Sequence, residues 1–232
     1  MKKFEQELDA LQQKLAEMGR VTAEMVGVSV AAVADRTVDL SDKADGLESQ
    51  LNQMQTDIDG EAMRLLTVYG PVASSLREIL VMTHVTAQFE RIGDQVVNVC
   101  ESLQMMRSGT EPVAFEHIRS MSELAAGMVE DAILAYSGSD TALAEATRAQ
   151  DDMVDSLNAL VISELLSDDV VRAVVAGEQD VKDSLAEILI ARHFERIADQ
   201  AVNVCKEVVF MVQGDDVRHR RKAASGSSSA AE

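Results

Sequence analysis

Apolar residues recur along this chain at three- and four-residue intervals, the period that places them on one face of an α-helix. Phe4, Leu8, Leu11, Leu15, Met18 and Met25 form the first such stripe, which predicts a long amphipathic helix running to about Asp39. The polar stretch Ser41-Asp42-Lys43-Ala44-Asp45-Gly46 then offers capping residues, and Leu47, Leu51, Met54, Ile58 and Leu65 carry the next stripe. Tyr69-Gly70-Pro71 ends this second helix, because glycine frees the backbone and proline cannot continue the hydrogen-bond ladder. A third helix is predicted from Ala73 to about Met106, with Leu76, Leu80, Val85, Phe89, Ile92, Val96, Val99 and Leu103 on or near one side.

Ser108-Gly109-Thr110-Glu111-Pro112 has the composition of a domain joint, and beyond it the order repeats. A helix is predicted to about Tyr136, a turn at Ser137-Gly138-Ser139-Asp140 and a helix to about Leu166. Ser167-Asp168-Asp169 breaks the chain, Gly177 marks a second irregularity, and a last helix reaches Gln213. The repetition extends to the residues themselves. The string from Phe89 to Cys100, FERIGDQVVNVC, matches FERIADQAVNVC from Phe194 to Cys205. A string this long at an offset of about one bundle is the mark of an internal duplication.

Long helices joined by short loops pack as antiparallel neighbours. The predicted fold is therefore all-α: two tandem, similar three-helix bundles, six long helices in all. The expected boundaries are residues 1–107 for the first bundle, 108–112 for the linker and 113–214 for the second bundle. Residues 215–232, with the basic run Arg218-His219-Arg220-Arg221-Lys222 followed by Ala, Ser and Gly, are expected to form a disordered tail.

Composition agrees with helices, since 47% of the 232 residues are apolar but only 3% aromatic, with no Trp and two Pro. The net charge of −19 argues against general binding to nucleic acid or an anionic membrane, which need a basic footprint. It suits a cationic ligand, metal ions or a basic protein surface, and acidic helix faces also keep a protein in solution. No apolar run is long enough to span a bilayer, and Met1-Lys2-Lys3-Phe4-Glu5 begins nothing like a signal peptide, so a cytoplasmic location is expected. Cys100 and Cys205 stand at equivalent places in apolar segments and read as small buried hydrophobes in a reducing compartment.

The candidate chemistry lies in the duplicated string. Glu90, Asp94 and Asn98 fall four apart, and Glu195, Asp199 and Asn203 repeat them. Residues at this spacing lie about 5–6 Å apart on one helix face, close enough for two carboxylates to hold a cation. A complete site needs oxygens from a neighbouring helix. Asp151 and Asp155 supply them for the second bundle, whereas Glu48 and Asn52 give the first bundle one charge fewer. Hard oxygen donors suit iron, manganese, magnesium, calcium or zinc. The same pattern also occurs on solvated helices, with Arg91–Asp94 and Arg196–Asp199 as ready salt bridges. A di-iron carboxylate site of the ferritin type requires Glu-x-x-His, and positions 93 and 198 are Gly and Ala. The sequence has no glycine-rich phosphate loop, no nucleophile elbow and no Cys/His zinc cluster, which favours binding or regulation over catalysis.

These strings, together with Glu61-Ala62-Met63-Arg64-Leu65-Leu66 and Pro71-Val72-Ala73-Ser74-Ser75-Leu76-Arg77, resemble the PhoU family over about residues 4–213. The resemblance implies two related three-helix bundles and multinuclear metal clusters on their acidic faces. The matching positions are Glu90, Asp94, Glu195, Asp199, Asp151 and Asp155. It further implies a regulator, commonly dimeric, acting with a phosphate ABC transporter and a phosphate-sensing histidine kinase, and reaching the membrane only through such partners. Gln88 and His193 stand where the family usually has an acidic residue, and Phe89 and Phe194 where it has leucine. The competing expectation is a structural helical scaffold whose acidic stripes hold no metal.

Overall fold

The computed structural model describes residues 2–106, 113–177 and 179–214. The expected linker at 108–112 and the tail at 215–232 lie outside the described residues. Those that are described form eight helices: α1 (Lys2–Ala34), α2 (Ser41–Tyr69), α3 (Ala73–Gln104), α4 (Phe115–Gly138), α5 (Thr141–Arg148), α6 (Asp151–Leu165), α7 (Asp168–Ala176) and α8 (Val181–Gln213). Helices α1, α2 and α3 pack into one bundle, and α4, α5–α6 and α8 into the other.

The periodic stripes account for the cores. Leu11, Leu15, Met18 and Met25 of α1 meet Leu51, Ile58 and Leu65 of α2 and Ile79, Val85, Phe89, Ile92, Val96 and Val99 of α3, all withdrawn from solvent. The second bundle is built likewise on Ile118, Met121 and Met128 of α4, Val154 and Val161 of α6 and Ile190, Phe194 and Ile197 of α8. Phe89 and Phe194, the first residues of the duplicated string, are the two bulkiest side chains fully buried.

Polar pairs set the relation between the bundles. His84 of α3 meets Glu207 of α8 at 3.3 Å, Gln88 meets Asn203 at 3.5 Å, and Gln95 meets His193 at 3.0 Å. Positions that rise along α3 fall along α8, so the two helices run antiparallel, as a two-fold relation between repeats requires. Helix α1 likewise lies against α4. There a methyl group on Gly19 would come within 3.2 Å of Ile133, so the missing side chain lets the helices approach. Helices α1, α3, α8 and α4 thus close into a central four-helix core, with α2 flanking one bundle and α5–α6 the other.

Several sequence expectations require correction. The first helix ends at Ala34, and Asp35 turns the chain by accepting from the Thr37 amide and hydroxyl. Ser41–Gly46 forms the opening of α2 and not its cap, which is Leu40 without a side-chain hydrogen bond. Leu76 and Leu80 face solvent, and Ile79, Val81 and Met82 fill the core in their place. The predicted fifth helix is two helices, interrupted at Ala149 and Gln150, and a short helix α7 follows it. Ser167 caps α7 at its start, and Gly177 ends it in the left-handed conformation, φ 76°.

Candidate functional site

Helix α3 carries Glu90 and Asp94 on the flank that faces α2. The approach of α2 depends on Gly93, because a Cβ there would come within 2.9 Å of Leu51 Cδ1 and 3.4 Å of Met25 Sδ. With Leu51 seated in that notch, Glu48, one turn earlier on α2, is brought to the two carboxylates. Burial pushes the Glu90 carboxyl above its usual range; repulsion from Asp94 adds to this, Arg91 pulls the other way, and Glu48 adds a smaller repulsion. Asp94 is raised by burial and then by Glu48. Asn52 donates its side-chain amide to Glu48 and fixes its direction.

The second bundle gathers four carboxylates. Helix α8 presents Glu195 and Asp199, and α6 sets Asp151 and Asp155 opposite them. Asp199 is raised by burial first, then by the negative charges of Asp151, Glu195 and Asp155, with Lys206 opposing. The break at Ala149–Gln150 starts α6 at Asp151, so Asp151 and Asp152 occupy the first helical turn, where the helix N-terminus favours acidic side chains. Asn158 donates to Glu195 Oε2 at 2.8 Å, and Arg192, three residues before Glu195 on α8, pairs with the same oxygen. The salt bridge formed on this face is thus from Arg192 to Glu195.

The structure therefore brings Glu48 together with Glu90 and Asp94, and Asp151 and Asp155 together with Glu195 and Asp199. Among the described residues, no three His, Cys, Asp or Glu side chains converge at distances that would hold an ion. The raised carboxyls of Glu90, Asp94 and Asp199 record burial first and the neighbouring negative charges second. The donor set is carboxylate oxygen with a side-chain amide alongside in each bundle, which is chemistry that fits a hard cation. Asn158 was missed in the sequence, although its place three residues after Asp155 and seven after Asp151 puts it on the same face.

Other groups sort themselves more simply. His193 is half-buried, and its imidazole pKa is lowered by burial and then by Arg196; it pairs with Gln95 between the bundles. Cys100 and Cys205 are free thiols buried in separate bundles, pushed up by burial to about 11 and about 12, where they are unreactive. Three buried acids on α8, Asp183, Glu187 and Glu207, were not anticipated. Glu187 accepts from the amides of Val113 at 3.2 Å and Ala114 at 2.7 Å, and so caps the entrance to α4 from another helix. No helix among the described residues is long and apolar enough to cross a membrane.

Comparison with known proteins bears on the whole frame. The family model described as "PhoU domain" matches the chain twice, over residues 15–103 and 118–208. A Pseudomonas aeruginosa protein named phosphate-specific transport system accessory protein PhoU homolog is 30% identical, over 93% of this chain and 88% of that protein. A Pseudomonas putida protein of the same name is 29% identical, over 93% of this chain and 83% of its own length. The crystal structure of PhoU from Pseudomonas aeruginosa superposes with a TM-score of 0.84 at 29% identity, covering 91% of this chain and all of that one, 100%.

Proposed function

This chain belongs to the PhoU family, and from that premise we propose that it regulates phosphate uptake as an accessory of a phosphate-specific transport system. In this reading it is a non-catalytic adaptor on the cytoplasmic side, acting as a homodimer. It restrains a phosphate ABC transporter through the transporter's ATPase, and with it the associated phosphate-sensing histidine kinase. It reaches the membrane only through those partners. Its acidic faces hold metal cations: Asp151, Asp155, Glu195 and Asp199 on the second bundle, and Glu48, Glu90 and Asp94 on the first.

The observation that carries the metal assignment is that Asp199 feels three other carboxylates from two helices. A cluster of like charge at a half-buried position destabilises a metal-free fold, and a bound cation relieves that repulsion. Iron, manganese, magnesium, calcium and zinc all accept such donors. A bound cation would neutralise the face, and neighbouring side chains set the direction of its donors: Asn158 and Arg192 orient Glu195, and Asn52 orients Glu48.

Metal analysis of protein purified without chelator tests the assignment. Glu195→Gln with Asp199→Asn should lower the bound metal, and unchanged metal content would remove the second face from the reading. For the regulatory role, deletion of the gene should derepress a phosphate-starvation reporter in phosphate-rich medium. Equal reporter output with and without the gene would overturn it.

A further inference from the structure

At the end of the central four helices where α4 and α8 finish, the two bundles leave a cleft of about 700 Å³ between them. Asp9, Gln12 and Gln13 of α1 line it, with Glu78 of α3, the Tyr136–Ser139 corner that ends α4, and Met211 and Val212 of α8. Gln12 donates to Glu78 across it. Helices α4 and α8 both end here, and neither has a basic side chain in its last turn to meet the partial negative charge of a helix C-terminus. Arg77 lies against Gly214, just past the end of α8, so the chain leaves the last helix beside the cleft.

The two-fold relation between the repeats supplies a comparison within the molecule. Glu78 of α3 corresponds to Asp183 of α8, by the same offset that pairs Phe89 with Phe194. At the linker end, Asp183 and the neighbouring Glu187 are buried beneath a cation. Arg36, from the α1–α2 connection, sits with its guanidinium 5.0 Å from the centre of the Phe115 ring, and its charge acts on Glu187. At the cleft end the corresponding connection, between α4 and α5, offers Ser139. The cleft lining as described contains acids, amides and hydroxyls and no basic side chain.

We propose that the basic run Arg218-His219-Arg220-Arg221-Lys222 of this same chain docks in this cleft, against Asp9 and Glu78. The run begins four residues after Gly214, an extended reach of about 14 Å, and Met211 and Val212 already form part of the cleft wall. The charges are complementary, the run being basic and the cleft wall carrying Asp9 and Glu78.

Two measurements on the full chain test this. In the first, trypsin should remove the tail slowly from the wild-type chain at low salt, and the protection should be lost in Asp9→Asn with Glu78→Gln and in 0.5 M sodium chloride, roughly where screening falls to a few ångströms. Circular dichroism checks that the double variant folds. The same cleavage rate in both chains would overturn the proposal. In the second, carbodiimide cross-linking of an equal mixture of ¹⁴N and ¹⁵N wild-type protein should join Lys222 to Asp9 or Glu78 within one copy. Links confined to a second copy, or Lys222 links spread over distant acids such as Glu48 and Asp155, would overturn it.

Discussion

Asp199 shares its surroundings with Asp151, Asp155 and Glu195, and the consequence appears in how stability depends on pH. Glu90, Asp94, Glu187 and Asp199 all have folded-state pKa values raised above their ordinary ones, burial being the first cause in each case. A raised carboxyl contributes stability that is fully present below its unfolded value and is lost as pH rises through the folded one. The acids Glu7, Asp35, Asp39 and Glu61 are lowered, Glu7 and Glu61 chiefly by hydrogen bonds from Arg64, and their contribution is lost only as pH falls below the ordinary carboxylate range. Metal-free protein should therefore melt at a higher temperature near about pH 5 than at neutral pH. In chelator, Asp199→Asn should raise the melting temperature at neutral pH and flatten this trend. A lower melting temperature for that variant would mean the four carboxylates do not repel one another as described.

Helix α4 depends on a residue far from it in sequence. Glu187 meets the Val113 and Ala114 amides at its start, a task that a nearby Ser, Thr, Asp or Asn usually performs. Glu187→Met keeps the size but leaves these donors unpaired, and should cost about 2 kcal/mol in urea denaturation. Glu187→Gln retains an acceptor oxygen and should cost clearly less; equal losses would show that the carboxylate is not the cap. No local pattern discloses such a contact, because Glu187 reads as one more acidic residue on an amphipathic helix. What the sequence made legible were the features set by period and repetition: the apolar stripes, the helix end at Tyr69-Gly70-Pro71, the irregularity at Gly177, and the pairing of Phe89 with Phe194. What it concealed depended on neighbours. The outward turn of Leu76 and Leu80, the interruption at Ala149–Gln150 and the reach of Asn158 to Glu195 follow from which helix packs where, and Gly93 explains only in three dimensions why Glu48 meets Glu90.

The molecule as a whole is a duplication whose halves have diverged in charge. The central four helices α1, α3, α8 and α4 hold the halves through polar pairs such as Gln88–Asn203 and Gln95–His193, and each acidic face lies within its own bundle, between α3 and α2 or between α8 and α6. The faces are then independent sites of unequal strength on the proposed reading, since one has four carboxylates and the other three. A calorimetric titration of metal-free protein should show two phases, the tighter one removed by Glu195→Gln with Asp199→Asn and the weaker by Glu90→Gln with Asp94→Asn. A single phase removed by either pair alone would show that the faces act as one.

The notch at Gly93 has a counterpart in the other repeat that has been filled: Ala198 stands there, fully buried, in the same string of residues. One methyl group is enough to prevent two helix backbones from approaching as closely as they do across bare hydrogen. The spacing between opposing walls is accordingly a property that each half can tune by a single codon, without touching any charged side chain. A lineage could in this way retune the grip of one flank on its ion while leaving the other as it was.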